Sequence, residues 1–308
     1  MRENFKIKFN EATNIDCYKW SNPEIIPKAI VHLSHGMAEH ILRYDRFAEE
    51  LVAAGYVVFG EDHLGHGRTA NSLDEIGYMD DYDNMAAMIK EIKIIIDSSK
   101  TEYPDLKVIQ FAHSMGSLIA QRFIELYPDD IHSIVLSGAT AKSGLHKIGS
   151  IVAKSIMNKN GRTFKSVLLD KMSFGSFNKQ FKPARTAFDW LSTNPAEVDK
   201  YVESPYCGGV FSASFFYDFA SMIVEAAKPK NLEYVRKDLK IFMIAGANDP
   251  VSNNGKGVKK LNTQYQKLNL DTSYKLYENA RHELLNEVDE IRNAVVKNVI
   301  QFMDESLK

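Results

Sequence analysis

Ser114, Asp249 and His282 are the residues whose types and order could carry out a nucleophilic displacement. Ser114 lies in Ala112-His113-Ser114-Met115-Gly116, one residue away from a Gly-x-Ser-x-Gly pattern. A serine on a sharp strand-to-helix turn has its Oγ pushed above the sheet edge, and the next backbone N–H faces the same space. Small neighbours suit such a turn because a Cβ would crowd it. A serine hydroxyl is a weak nucleophile and needs a base. Histidine is the usual base, and a carboxylate fixes its tautomer. Downstream of Ser114 the chain offers Asp249 and then His282. The charge that develops on attack needs two backbone N–H donors. Met115 supplies one, and Met37, in Ser34-His35-Gly36-Met37, supplies the other.

Each of these groups follows a segment that reads as a strand. Residues 108–111 are an apolar run that leads into Ser114, and a helical segment follows over 116–127. Residues 29–33 run into His35, and 56–59 run into Asp62-His63-Leu64-Gly65-His66-Gly67. Residues 240–245 end at Asp249, and 273–277 end at His282. Phe5, Ile7 and Phe9 alternate with lysines as an edge strand does, and 15–20 and 133–136 complete the set. Helical periodicity marks 43–54, closed by Gly55, then 81–99, 257–268 and a C-terminal segment from Val288 to Met303. Repeated strand–helix units imply a mostly parallel sheet with helices on both faces, and ligands then bind beyond the carboxyl ends of the strands. All five polar clusters are therefore expected on one rim.

Between about 140 and 230 the alternation stops. Aromatic residues are frequent there, and Pro183, Pro195, Pro205 and Pro229 divide the segment. The expected organisation is an α/β core from 1–139 and 230–308, with a helical cap at 140–229.

Composition narrows the function classes. The 308 residues are 44% hydrophobic and 25% charged, with a formal net charge of −2. That balance fits a soluble globular chain and gives no basic field for nucleic acid. Cys17 and Cys207 are too few and too distant for a disulfide framework, and both are expected as buried thiols. The N-terminus lacks the apolar core of a signal peptide, so a cytoplasmic location is expected. His35, His40, His63 and His66 do not have zinc-site spacing, and no phosphate-binding glycine loop is present, so no metal and no cofactor are expected. Asp62 is an alternative acid, but the chain order favours Asp249. His113 is expected to be structural.

Taken together, the motifs resemble a known family. His35-Gly36-Met37-Ala38-Glu39-His40, Arg43-Tyr44, Asp62-His63-Leu64-Gly65-His66-Gly67-Arg68, His113-Ser114-Met115-Gly116, Gly246-Ala247-Asn248-Asp249 and Ala280-Arg281-His282-Glu283 occur in order over nearly the whole chain. They resemble the monoacylglycerol lipase and lysophospholipase branch of the α/β-hydrolases, which includes proteins called serine aminopeptidases. The resemblance implies an α/β-hydrolase fold with an inserted cap, with Ser114 as nucleophile, His282 as base and Asp249 as orienting acid. Met37 and Met115 are then the oxyanion donors, and the substrate is a small acyl ester. The chain departs from the pattern at Ala38, Ala112 and Ser117, each expected to add atoms near a tight turn and so to narrow the acyl site or slow the enzyme, without removing a catalytic atom. An apolar cap suits a fatty-acyl chain and transient contact with a lipid surface. Two other readings are an aminopeptidase of the proline iminopeptidase type, using Glu197, Asp199, Glu203, Asp218 or Glu225 to hold an amine, and a non-catalytic binding protein on the same fold.

Overall fold

The computed structural model describes residues 1–78 and 83–308. Its strands are β1 (Arg2–Lys8), β2 (Asn14–Trp20), β3 (Ile30–Ser34), β4 (Val57–Glu61), β5 (Val108–His113), β6 (Ser133–Ser137), β7 (Lys240–Gly246) and β8 (Asp271–Tyr277). They form one 8-stranded sheet in the order β1-β2-β4-β3-β5-β6-β7-β8. β1 and β2 pair antiparallel at one edge, and the pairs from β4 to β8 are parallel. The expected α/β-hydrolase architecture is therefore present.

The helices are α1 (Asp45–Ala53), α2 (Asn84–Glu102), α3 (Met115–Leu126), α4 (Gly144–Asn160), α5 (Val167–Phe174), α6 (Pro195–Glu203), α7 (Ala213–Ala226), α8 (Pro229–Leu232), α9 (Lys256–Gln266) and α10 (Asp289–Ser306). Strand periodicity sorts the core into two layers. Ile109 and Phe111 face one side, where Phe47 and Leu51 of α1 pack with Val295 and Val299 of α10. Val108 and Ala112 face the other, where Ile92 of α2, Ile119 of α3 and Leu261 of α9 pack. Burying an aromatic such as Phe111 stabilises the fold by about 3 kcal/mol. Parallel strands covered on both faces need mostly apolar side chains, which is why apolar residues dominate β3 to β7, and the polar exceptions His32, Gln110 and Glu61 bond one another.

Local signals set the element ends. Gly55 takes a positive φ of 91° just past α1. A short 3-10 turn, Ile41–Tyr44, precedes α1, so the expected start at 43 falls in that turn. Asp83 caps α2 by accepting from Met85 N and Ala86 N. The expected start of that helix at 81 lies outside the described residues. Asn194 caps α6, with Pro195 in its first turn. Between β6 and β7 the chain forms α4 to α8, where α4 packs along α7 and α7 rests on α2 and α3. Cys17 is buried as expected, whereas Cys207 is half-buried, and neither is in a disulfide. Among the described residues no helix is long and apolar enough to cross a membrane.

One contact ties the sheet to its rim. A Cβ at Gly246, the last residue of β7, would lie 2.1 Å from Arg281 O and 2.3 Å from Ala280 O. The loop that carries His282 therefore rests directly on the Gly246 backbone. Gly246→Ala must lift that loop, and the strain is expected to lower stability by about 1–3 kcal/mol in urea unfolding. An unchanged unfolding midpoint would show that the loop does not rest there.

Candidate active site

The strand ends bring the expected residues together. Ser114 sits between β5 and α3 with φ 51° and ψ −115°, a conformation that side-chain-bearing residues rarely adopt. Its N–H donates to Ser137 O at the end of β6 (2.9 Å). The turn requires Gly116, where a Cβ would lie 2.6 Å from the carbonyl oxygens of both Ser34 and His35.

His282 Nε2 lies 2.8 Å from Ser114 Oγ, and His282 Nδ1 lies 3.0 Å from Asp249 Oδ1. A carboxylate can only accept, so Nδ1 carries the proton and donates to Asp249. Nε2 is then free to accept from the serine hydroxyl. Val251 N also donates to Asp249 Oδ1 (2.9 Å), which fixes the carboxylate. Burial disfavours the charged form of His282, but the Asp249 carboxylate outweighs it, with help from Glu283 and Glu39. The net result is a pKa above the ordinary histidine value. His113, expected to be structural, has its ring 4.7 Å from that of His282, where it lines the same cavity. Burial and the neighbouring His282 push its pKa well down. From the segment between β6 and β7, the Trp190 ring lies 5.2 Å from His282.

The loop after β3 lies against the serine. A Cβ at Gly36 would be 3.2 Å from Ser114 Cβ. Met37 and Met115 both line the cavity, and none of the described hydrogen bonds uses either N–H. Ala38 adopts φ 58°, the left-handed conformation that glycine takes without penalty. Ala112 is an extended strand residue paired with Ser34 and Leu136, so alanine costs nothing there. Ser117 Oγ donates to Ser114 O (2.6 Å) and braces the turn. Ala38, Ala112 and Ser117 do not line the cavity, so the expected narrowing of the acyl site does not occur by direct contact.

The remaining polar cluster supports these loops. Asp62 accepts from Ile41 N and Arg68 N (both 2.8 Å), and it is Asp249 that pairs with His282. Burial raises its pKa to about 6. His35 Nδ1 donates to Gly36 O (2.7 Å), and His35 Nε2 accepts from His63 N (2.9 Å). His63 joins Ser34 Oγ (2.9 Å) to Glu91 Oε1 (2.8 Å). Burial, reinforced by the neighbouring histidines, holds His35 and His63 well below the ordinary histidine value. Burial alone takes His66 down to about 4. Among the described residues, Glu61, His63 and Glu91 form a group of metal-ligand type within 4.8 Å. His63 Nδ1 and both Glu91 oxygens are engaged in hydrogen bonds, and Glu61 Oε2 pairs with His32 Nε2 (2.9 Å), while Glu61 Oε1 is buried without a hydrogen-bond partner, 3.4 Å from His63 Nδ1.

Several residues at the site carried no assigned role in the sequence. Arg43 bridges Glu39 and Glu283 beside the cavity. Glu287 Oε1 accepts from Arg281 N (2.6 Å), and its Oε2 accepts from Thr193 N (3.0 Å). Glu283 N donates to Leu191 O (2.7 Å). The segment holding Trp190 is thus fastened to the loop holding His282. Chain separations near 90 or 240 residues hid the Arg43–Glu283, Thr193–Glu287 and Leu191–Glu283 pairs, although Glu39 and Arg43 stand in the motifs and Glu283 follows the histidine directly.

Above Ser114 opens a cavity of about 790 Å³. Leu118, Leu169, Phe174, Phe216, Phe219 and Ile223 form much of its apolar wall.

Known proteins resemble this chain over nearly its whole length. The family described as "Serine aminopeptidase, S33" matches residues 26–289. A protein of monkeypox virus named "Monoglyceride lipase homolog" is 26% identical over 285 residues, covering 92% of each chain. Human "Monoglyceride lipase" is 26% identical over 294 residues, covering 94% of this chain and 86% of that protein. The crystal structure of a thermostable carboxyl esterase from Bacillus coagulans, in complex with glycerol, superposes with a TM-score of 0.92 at 25% identity, covering 100% of this chain and 99% of the other. The chain belongs to the serine aminopeptidase S33 family of α/β-hydrolases and is a serine hydrolase.

Proposed function

We propose that this serine ester hydrolase cleaves fatty-acyl esters of glycerol or of similar small alcohols through an acyl-enzyme formed on Ser114. The observation that carries the reading is the hydrogen-bonded series Ser114–His282–Asp249 at the floor of an apolar cavity. Ser114 Oγ attacks the ester carbonyl as His282 Nε2 takes its proton. The N–H groups of Met37 and Met115 receive the oxyanion. His282 then protonates the leaving alcohol, and water attacks the acyl-enzyme by the same route in reverse. Monoglyceride lipases are among the relatives, and the related esterase was crystallised with glycerol.

An aminopeptidase needs a free carboxylate to hold the substrate amine. None of Glu197, Asp199, Glu203, Asp218 and Glu225 lines the cavity. Glu39 and Glu283 do line it, but Arg43 occupies both.

Residues 140–229 act in this reading as a lid. Leu145, Ile148 and Met172 line the cavity and are also exposed, so its mouth is rimmed by apolar side chains. Such a rim fits transient contact with a lipid surface.

Four outcomes are expected. Ser114→Ala abolishes hydrolysis of monoacylglycerols and short p-nitrophenyl esters; full activity in that variant rules the reading out. The base must be neutral to act, and its pKa is raised. The acidic limb of kcat/KM therefore climbs through a midpoint above about 6.5, the ordinary histidine value. Asp249→Asn leaves only Glu283 and Glu39 to oppose burial, which moves that midpoint down and cuts kcat about ten-thousandfold; a midpoint that stays put assigns the limb to another group. Replacing Leu145 and Ile148 together by serine weakens binding to phosphatidylcholine vesicles in a flotation assay while hydrolysis of a soluble ester is kept. Equal vesicle binding removes the cap from lipid contact.

A further inference from the structure

Arg43 is nearly buried, with 9% of its side chain exposed, and it plays no part in the proton transfers described above. It stands between two loops that approach the site from well-separated strands. Nη1 donates to Glu39 Oε2 (2.7 Å) and to Glu283 Oε1 (2.6 Å), and Nη2 donates to Glu283 Oε2 (2.6 Å). Glu39 belongs to the loop after β3, and its Oε1 accepts from Gly36 N (2.6 Å) and from the Tyr44 hydroxyl (2.9 Å). Gly36 immediately precedes Met37. Glu283 immediately follows His282. In the sheet, β5, β6 and β7 stand between β3 and β8. No strand pairing therefore fixes one loop against the other. The Tyr201 ring, from α6, covers the guanidinium at 5.0 Å.

We propose that Arg43 is a positioning residue for ester hydrolysis: through Glu39 it holds the loop that offers Met37 N, and through Glu283 it holds the loop that carries His282. The proposal rests on the reading of Ser114 and His282 given above. Guanidinium geometry suits the role, because its fork binds one carboxylate through two nitrogens and still reaches the second. A lysine at this position keeps the charge but has a single point of attachment. Attack on an ester requires the base and the oxyanion donors to be placed together to within a fraction of an ångström. A tie between their loops therefore acts on kcat and leaves the binding of the acyl chain to the apolar wall.

The trio also shapes the field at His282. The charged and titratable groups facing that imidazole are Asp249 from the end of β7, His113 from the end of β5, Glu39 from beyond β3 and Glu283 from its own loop, with Arg43 behind them on both glutamates. Removing Arg43 exposes His282 to two carboxylates without their cation. Removing the charge of Glu283 leaves the cation in excess. The two changes push the imidazole in opposite directions.

The test compares Arg43→Ala, Arg43→Lys and Glu283→Gln with the unaltered enzyme on a soluble acyl ester, with folding followed by circular dichroism. Arg43→Ala is expected to lose about a hundredfold in kcat with KM changed less than about threefold. Millimolar guanidinium is expected to restore part of that loss. Arg43→Lys falls between the two and keeps the fold even if Arg43→Ala does not. The acidic limb of kcat/KM moves to higher pH in Arg43→Ala and to lower pH in Glu283→Gln. Folded Arg43→Lys with the parent kcat and the parent limb overturns the proposal. Folded Arg43→Ala that guanidinium does not rescue overturns it as well. If Ser114→Ala keeps its activity, the underlying reading fails first, whatever the Arg43 variants do.

Discussion

Everything at this site depends on holding one neutral imidazole between a carboxylate and a hydroxyl. His282 has Asp249 at 3.0 Å on one nitrogen and Ser114 at 2.8 Å on the other. Two opposing influences act on it. Burial resists its charging, and Asp249 favours it. Because the carboxylate prevails, the imidazolium that forms on proton transfer is stabilised where it arises. The sheet makes this possible. β5, β6, β7 and β8 are adjacent and parallel, so their carboxyl ends deliver the three side chains to a single rim. Gly246 lets the histidine loop lie directly on the end of β7.

Much of this was legible in the sequence because parallel strands leave a simple trace. A strand covered on both faces reads as a short apolar run, and a polar cluster after such a run marks the rim. That rule collected Ser34-His35-Gly36-Met37, Asp62, Ser114 and Asp249, whereas His282 follows the polar edge strand β8 and was found by its order after Asp249. The departures at Ala38 and Ala112 are resolved by backbone conformation rather than by space. Ala38 occupies a left-handed position with φ 58°, whereas Ala112 is in regular strand. Composition cannot separate those cases, since both are alanines in place of glycine.

The illegible part is held by side chains far apart in the chain. Arg43 meets Glu283, Glu287 meets Thr193, and Trp190 covers His282. No periodicity or spacing marks such pairs, because they arise where loops from separate strands fold over one another. Aromatics between 140 and 229 show the same limit. Their number identified an apolar segment, but only the fold separates Trp190 and Phe216, which line the cavity, from Phe211, which is fully buried in the core.

The most direct measurement is the site of covalent modification by an alkyl fluorophosphonate, which mimics the acyl group and traps an activated serine. The folded protein is treated, its intact mass is recorded, and the modified peptide is sequenced by mass spectrometry. The account predicts a single adduct, on Ser114, whose formation slows as pH falls through the titration of His282. Folded protein that takes up no label, or that carries it on another residue, contradicts it.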